Sequence, residues 1–90
     1  MVSIREATER AIAFAQAALD SDRTTGIRLE EVESAYIGSE ELWLITLSMI
    51  RSDIDDSTAA FRKPREYKSF AVRKSDGEVI SMKIRELAGA

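Results

Sequence analysis

The sequence contains no cysteine and no histidine among its 90 residues. Without cysteine the chain forms neither a disulfide nor a thiolate metal site, and without histidine it lacks the commonest general base and metal ligand. A serine–histidine triad is therefore excluded within one chain, and nucleotide-binding glycine loops and nucleophile elbows are also missing. These absences predict a protein that is not an enzyme and that has neither a metal nor a cofactor.

Long apolar runs are missing as well. No stretch approaches the ~18 uninterrupted apolar residues that a membrane span requires. The first residues do not show a basic segment followed by an apolar one, which is the pattern of a secretory signal. We therefore expect a cytoplasmic protein without membrane contacts.

The composition is that of one small globular domain, with 44% hydrophobic and 32% charged residues. The formal net charge of −3 argues against nucleic acid as the main partner. The charge is uneven, since the first half of the chain is acidic and the second half is slightly basic. We expect these halves to meet in the fold and to neutralise each other.

The clearest element is an N-terminal helix over about residues 4–20. Ser3 and Glu6 form a capping-box pattern, in which the Ser3 hydroxyl accepts the N–H of Glu6 and the Glu6 carboxylate reaches back to the N–H of Ser3. Apolar residues then recur at helical spacing along one stripe. The stripe consists largely of alanine, which permits a close approach to the layer beneath: Ile4, Ala7, Ala11, Phe14, Ala15 and Ala18.

From residue 27 onward the apolar period changes to that of a strand. Strands are predicted over about 27–37, 41–51, 66–74 and 78–87, with a long loop at 52–65. The alternation slips near Glu30 and Glu31, which predicts a β-bulge there. One helix and four strands joined by short turns predict an α+β fold, a two-layer sandwich of the helix on an antiparallel meander, as a single domain over residues 1–90.

The last hairpin allows a prediction of register. A three-residue turn at 75–77 pairs Phe70 with Met82 and Val72 with Ile80, which brings the apolar sets of the two strands to the core face. Gly77 then occupies the left-handed position of the turn, where glycine is preferred.

Two charged segments are candidate binding sites. The acidic group of Asp53, Asp55 and Asp56 fails as an EF-hand, because Thr58 and Pro64 stand where glycine and glutamate are needed. The basic group, flanked by aromatic residues, is a candidate anion contact: Arg62, Lys63, Arg65 and Lys68. For both segments a solvated loop is the simpler interpretation. Glu30, Glu31 and Glu33 are interpreted as charges that protect an edge strand.

The sheet face opposite the helix is predicted to carry uncovered apolar side chains. The candidate interface residues are Leu42, Leu44, Tyr67 and Val79, with Ala71 and Leu87 beside them. An uncovered apolar patch favours a partner, either a second copy in a homodimer or an unidentified protein.

Residues 67–72 and 76–82 form an aromatic-bearing strand, an Asp-Gly turn and a strand that opens near Glu-Val. Together with the helix start at residues 3–11, they resemble small PepSY-type domains, which belong to the cystatin-like α+β shapes. The resemblance implies the helix-then-meander fold. It also implies an extracytoplasmic regulator of peptidases, from which the chain departs in its lack of a leader, its 52–65 loop and the absence of the cystatin Gln-x-Val-x-Gly motif.

The sequence therefore favours a non-catalytic protein-interaction or regulatory module. Two alternatives remain open. One is a small-ligand-binding protein with a pocket between helix and sheet, where the alanine stripe would leave space. The other is weak nucleic-acid or phosphate binding through the basic 62–68 segment.

Overall fold

The computed structural model describes residues 1–50 and 65–85. It contains a helix α1 (Ile4–Ala18), a 3₁₀ turn (Ser21–Arg23) and four strands, which are β1 (Thr25–Ile37), β2 (Glu40–Ile50), β3 (Arg65–Arg73) and β4 (Val79–Ile84). The strands form one antiparallel sheet in the order β1-β2-β3-β4, with α1 packed on one face. The predicted α+β sandwich is confirmed. β4 is shorter than predicted, and the predicted 52–65 loop lies outside the described residues apart from Arg65.

α1 begins at the predicted Ser3 cap, with the Glu6 carboxylate near the Ser3 hydroxyl and not on the Ser3 backbone N–H. The backbone N–H of Glu6 donates to the Ser3 hydroxyl at 3.1 Å, and this hydroxyl lies 3.4 Å from the Glu6 carboxylate. Ala7, Ala11 and Ala15 recur every four residues and are fully buried, because side chains at this spacing share one face of a helix. The small side chains bring α1 down onto the sheet.

The helix face of the sheet carries the core. Ile45, Leu47 and Met49 of β2 and Phe70 and Val72 of β3 are fully buried and cluster with the alanine stripe. The Phe14 ring meets the Phe70 ring edge-on, with centroids 6.3 Å apart. Trp43 is half-buried, packs against this cluster and donates its indole N–H to the carbonyl oxygen of Val2 at 3.2 Å. The burial of these large apolar side chains is the main source of the stability of the fold.

β1 contains the bulge that the slip in alternation predicts. Leu29 pairs with Leu47 whereas Glu31 pairs with Thr46, so Glu30 is an extra residue on β1. A second shift lies between Thr25 and Arg28. Bulges of this kind increase the local twist of a strand and interrupt its regular pairing.

The β3–β4 hairpin corrects the predicted register. Phe70 pairs with Met82 as expected, but Val72 pairs with Val79 and not with Ile80. The turn is longer than predicted because Ile80 is an extra residue on β4, which leaves Lys74 in the turn. The carbonyl oxygen of Lys74 accepts the N–H of Val2 at 2.7 Å. The ladder ends at Arg73, whose N–H donates to Glu78 at 2.9 Å. Gly77 has φ 77°, the predicted left-handed conformation.

Candidate functional site

The outer face of the sheet, opposite α1, differs from the predicted open apolar patch. Leu42 is 1% exposed, and Leu44 and Tyr67 are half-buried. Val79 is not on this face, because the shifted register turns it toward the core cluster, against which it packs. Leu87 lies outside the described residues. The interface predicted from Leu42, Leu44, Tyr67 and Val79 is therefore reduced to two half-exposed side chains.

Polar groups occupy the middle of the outer face. Ser48 is fully buried, donates its hydroxyl to a Glu30 carboxylate oxygen at 2.5 Å and accepts the Nε–H of Arg65 at 2.8 Å. The Arg65 guanidinium also donates to the carbonyl oxygens of Gly26 and, at 3.2 Å, of Ser48. The hydroxyl of Ser48, which donates to Glu30, is the main cause that lowers the pKa of this carboxyl, and Arg28 and Arg65 add to it. This network ties the bulge of β1 to the first residue of β3.

A second ion pair lies across the same face. The Arg85 guanidinium, which follows β4, contacts the Glu31 carboxylate of β1 at 2.9 Å. Glu31 lies on one edge strand, and Arg85 follows the other edge strand. Their side chains therefore reach toward each other across the two central strands, β2 and β3. Thr46, which pairs with Glu31, is only 3% exposed. The outer face is thus covered in part by paired charges and not by apolar surface.

The four basic residues predicted as an anion contact do not form one site among the described residues. Arg65 lies on the outer face in the Ser48 network, whereas Lys68 pairs with Leu47 and so points to the helix face. Lys68 is 5% exposed, and its ammonium lies 2.9 Å from the Glu66 carboxylate. Arg62 and Lys63 lie outside the described residues. A single phosphate cannot bridge Arg65 and Lys68, because they are on opposite faces of one sheet.

Glu66 forms ion pairs with two cations, one of which belongs to the 3₁₀ turn that follows α1. Its carboxylate contacts Lys68 and also the guanidinium of Arg23 at 2.8 Å. Partial burial on its own raises the pKa of Glu66, but the hydrogen bond and charge of Lys68 and the charge of Arg23 outweigh it and lower the pKa. These contacts close the sandwich at the end of the helix, and they leave the two cations engaged within the chain.

Lys74 forms a further polar group beside the start of α1. Its ammonium lies 4.0 Å from the centroid of the Trp43 ring and donates to the Ser34 hydroxyl at 2.6 Å and the Glu41 carboxylate at 3.3 Å. A cavity of about 200 Å³ lies next to it, lined by Met1, Ser39, Glu40, Glu41, Lys74 and Ser75. Because the cation already has an aromatic, a hydroxyl and a carboxylate partner, this group acts as a tether between β1, β2 and the last hairpin.

The exposed surface that sequence reasoning missed lies along β4. Ile84 is 77% exposed and Ile80 is 41% exposed, although both were predicted to face the core. Phe14 of α1 is 37% exposed, and its ring contacts Phe70 of β3. The run of apolar residues in β4 was visible in the sequence, and the predicted meander places this strand at an edge. The extra residue at Ile80 was not predicted.

Within residues 1–50 and 65–85, no three histidine, cysteine, aspartate or glutamate side chains are grouped in a way that would hold a metal ion. The acidic group of Asp53, Asp55 and Asp56 lies outside these ranges. In the described part of the chain, no helix is both long enough and apolar enough to cross a membrane.

Comparison with known protein families, with curated proteins and with solved structures finds no match to this chain. The resemblance to PepSY-type and cystatin-like domains therefore stays a prediction, and functional conclusions have to come from the geometry of the chain itself.

Proposed function

We propose that the chain is a non-catalytic protein-interaction module that binds another polypeptide along the β4 edge. The observation that supports this most strongly is the edge itself. β4 pairs with β3 on one side, and in the described part of the chain no strand pairs with its other side. An edge of this kind presents free backbone donors and acceptors, which is how many domains recognise an extended segment.

Apolar side chains flank this edge and give it a contact surface. Ile80 and Ile84 belong to β4 and are 41% and 77% exposed. Apolar area removed from water stabilises a contact by about 25 cal/mol per Å². Backbone pairing supplies alignment, and these side chains supply affinity.

The two alternative functions have less support. The alanine stripe of α1 shares one buried cluster with Ile45, Phe70 and Val72, so helix and sheet approach each other closely where a ligand pocket would lie. For phosphate or nucleic acid, Arg65 and Lys68 are on opposite faces and are engaged with Ser48 and Glu66. No described contact favours either alternative.

The proposal is tested by site-specific photo-crosslinking in the cells that make the protein. A benzophenone amino acid replaces Ile84 at the β4 edge, and in a matched control it replaces Ile37, which is 63% exposed at the end of β1. We expect the Ile84 probe to form a covalent adduct with a polypeptide and the Ile37 probe to form none. Equal yields at both positions, or adducts at Ile37 alone, would contradict the assignment of the contact surface.

A further inference from the structure

The outward-facing backbone groups of β4 can be assigned from one hydrogen bond. The N–H of Arg85, which directly follows the strand, donates to the carbonyl oxygen of Tyr67 on β3 at 2.9 Å. Backbone groups alternate in direction along a strand, so the N–H and C=O of Ile84 and of Met82 point away from β3. These two residues are therefore the hydrogen-bonding positions of the free edge.

We infer that the partner at this edge is a second copy of the chain, which adds its own β4 antiparallel to the first across a two-fold axis through Met82. This inference rests on the proposed interaction function and names the partner. A two-fold contact uses the same patch on both copies, so the strand must be complementary to itself. β4 meets this requirement in one register.

A two-fold axis at any residue of the strand keeps the side chains of both copies on matching faces, and the residues between the exposed Ile80 and Ile84 are Ser81, Met82 and Lys83. An axis at Lys83 places two lysines directly opposite each other, which is destabilising. An axis at Ser81 places Ile84 opposite Glu78 of the second copy, so an apolar side chain meets a charged one. Each of these two registers pairs only one of the exposed isoleucines with an apolar residue, Met82, and leaves the other isoleucine without an apolar partner.

An axis at Met82 removes these conflicts. Ile80 then lies opposite Ile84 of the second copy, and the reverse pair forms on the other side of the axis. Lys83 lies opposite Ser81, so no like charges meet. Cross-strand apolar pairs of this type stabilise a sheet.

The edge pairing is tested with two substitutions at one position. Ile84→Pro removes the outward N–H without removing a hydrogen bond to β3, whereas the matched variant Ile84→Thr keeps this N–H. By symmetry the proline removes two hydrogen bonds from the dimer, so we expect its dissociation constant to rise at least about 30-fold above that of Ile84→Thr. Sedimentation equilibrium measures both constants, and circular dichroism confirms that both variants are folded.

The register is tested by cysteine crosslinking, since the chain has no cysteine of its own. Met82→Cys places the two thiols opposite each other at the axis, within the Cα separation that a disulfide accepts. Ile84→Cys places them several residues apart. Oxidation should therefore give a covalent dimer with Met82→Cys and a monomer with Ile84→Cys.

The inference is overturned by a wild-type chain that remains monomeric at millimolar concentration, by equal dissociation constants for the proline and threonine variants, or by crosslinking at Ile84 in preference to Met82. If the wild-type chain remains monomeric but the Ile84 photoprobe forms an adduct with a different protein, the second copy is excluded as the partner. The proposed interaction function would then stand.

Discussion

The two edge strands of the sheet differ in length, regularity and exposed chemistry. β1 has 13 residues, two register shifts and three exposed glutamates at Glu30, Glu31 and Glu33. β4 has 6 residues and exposes Ile80 and Ile84, while β1 exposes Leu29, Tyr36 and Ile37 besides its glutamates. Bulges and charges are the usual means by which a protein prevents its edges from pairing with other chains. Both strands use these means, but to different extents: β1 has two register shifts and three exposed glutamates, whereas β4 has one extra residue at Ile80 and one charged residue, Lys83.

The glutamates of β1 are also held in place by contacts across the sheet. Glu30 accepts the Ser48 hydroxyl, and Glu31 pairs with Arg85 from the end of β4. The charges that make β1 a poor partner are therefore part of the fold. The two edges therefore differ in degree: β1 carries more of the bulges and charges that discourage pairing with another chain, and β4 carries fewer.

Among the substitutions that test the difference between β1 and β4, Ser48→Ala is expected to change the free energy of unfolding the most. The substitution removes the buried hydroxyl that joins Glu30 to Arg65, and it leaves two charged groups with one fewer partner. We expect the free energy of unfolding to fall by about 2 kcal/mol, measured by urea denaturation. Ser69→Ala is the matched control on the outer face of β3, with an expected change within about 0.5 kcal/mol. Equal losses in the two variants would show that the Ser48 network does not hold the β1 edge.

A smaller difference in the free energy of unfolding is expected between alanine substitutions in the β1–β2 turn and in the β3–β4 turn. Gly38 and Gly77 both have positive φ, at 63° and 77°. A Cβ at position 38 would meet nothing within 4 Å, whereas one at position 77 would lie 3.2 Å from Cγ1 of Val2. We expect Gly38→Ala to cost about 1 kcal/mol from backbone strain and Gly77→Ala about 2 kcal/mol. Thermal unfolding ranks the two, and a larger loss at Gly38 would contradict the packing of the N-terminal segment on the β4 hairpin.

The smallest expected effect is the contribution of Glu30 on β1 to the pH dependence of the free energy of unfolding. The pKa of Glu30 is lowered below its ordinary value of 4.5, mainly by the hydrogen bond from Ser48. A carboxyl whose pKa is lower in the folded state stabilises the fold above its unfolded-state pKa, and this contribution is lost as the pH falls through the folded-state pKa.

We therefore expect Glu30→Gln to be less stable than the wild type at pH 7 and the two unfolding free energies to converge below pH 4.5. Urea denaturation at a series of pH values measures this, with Glu33→Gln as an exposed control on the same strand. A difference between Glu30→Gln and the wild type that is independent of pH would contradict the assigned cause.

Much of this fold follows from local patterns in the sequence. The Ser3 cap, the buried alanine stripe and the strand order depend on residues close together in the chain, and the bulge at Glu30 is visible as a slip in alternation. The length of the last turn was predicted wrongly, because the extra residue at Ile80 does not show as a slip in the alternation of Ile80, Met82 and Ile84.

The candidate site was less predictable. Arg65 and Lys68 are near neighbours in the sequence, but alternation sends them to opposite faces, where Ser48 and Glu66 engage them. Ile80 and Ile84 have the pattern of core residues, but both are exposed on β4, which the predicted meander already places at an edge. Val79 moved from the predicted interface to the core because one extra residue in β4 shifts the register.

Amide hydrogen exchange measured at low and high protein concentration tests most directly the claim that β4, and not β1, is the open edge. The amide of Ile84 points away from β3, so it should exchange fast in dilute protein and become protected as concentration rises. The amides along β1 should keep their dilute-solution rates. Two results would contradict the claim that β4 is the open edge. One is protection that rises with concentration at β1, and the other is an Ile84 amide whose exchange stays independent of concentration while the chain self-associates.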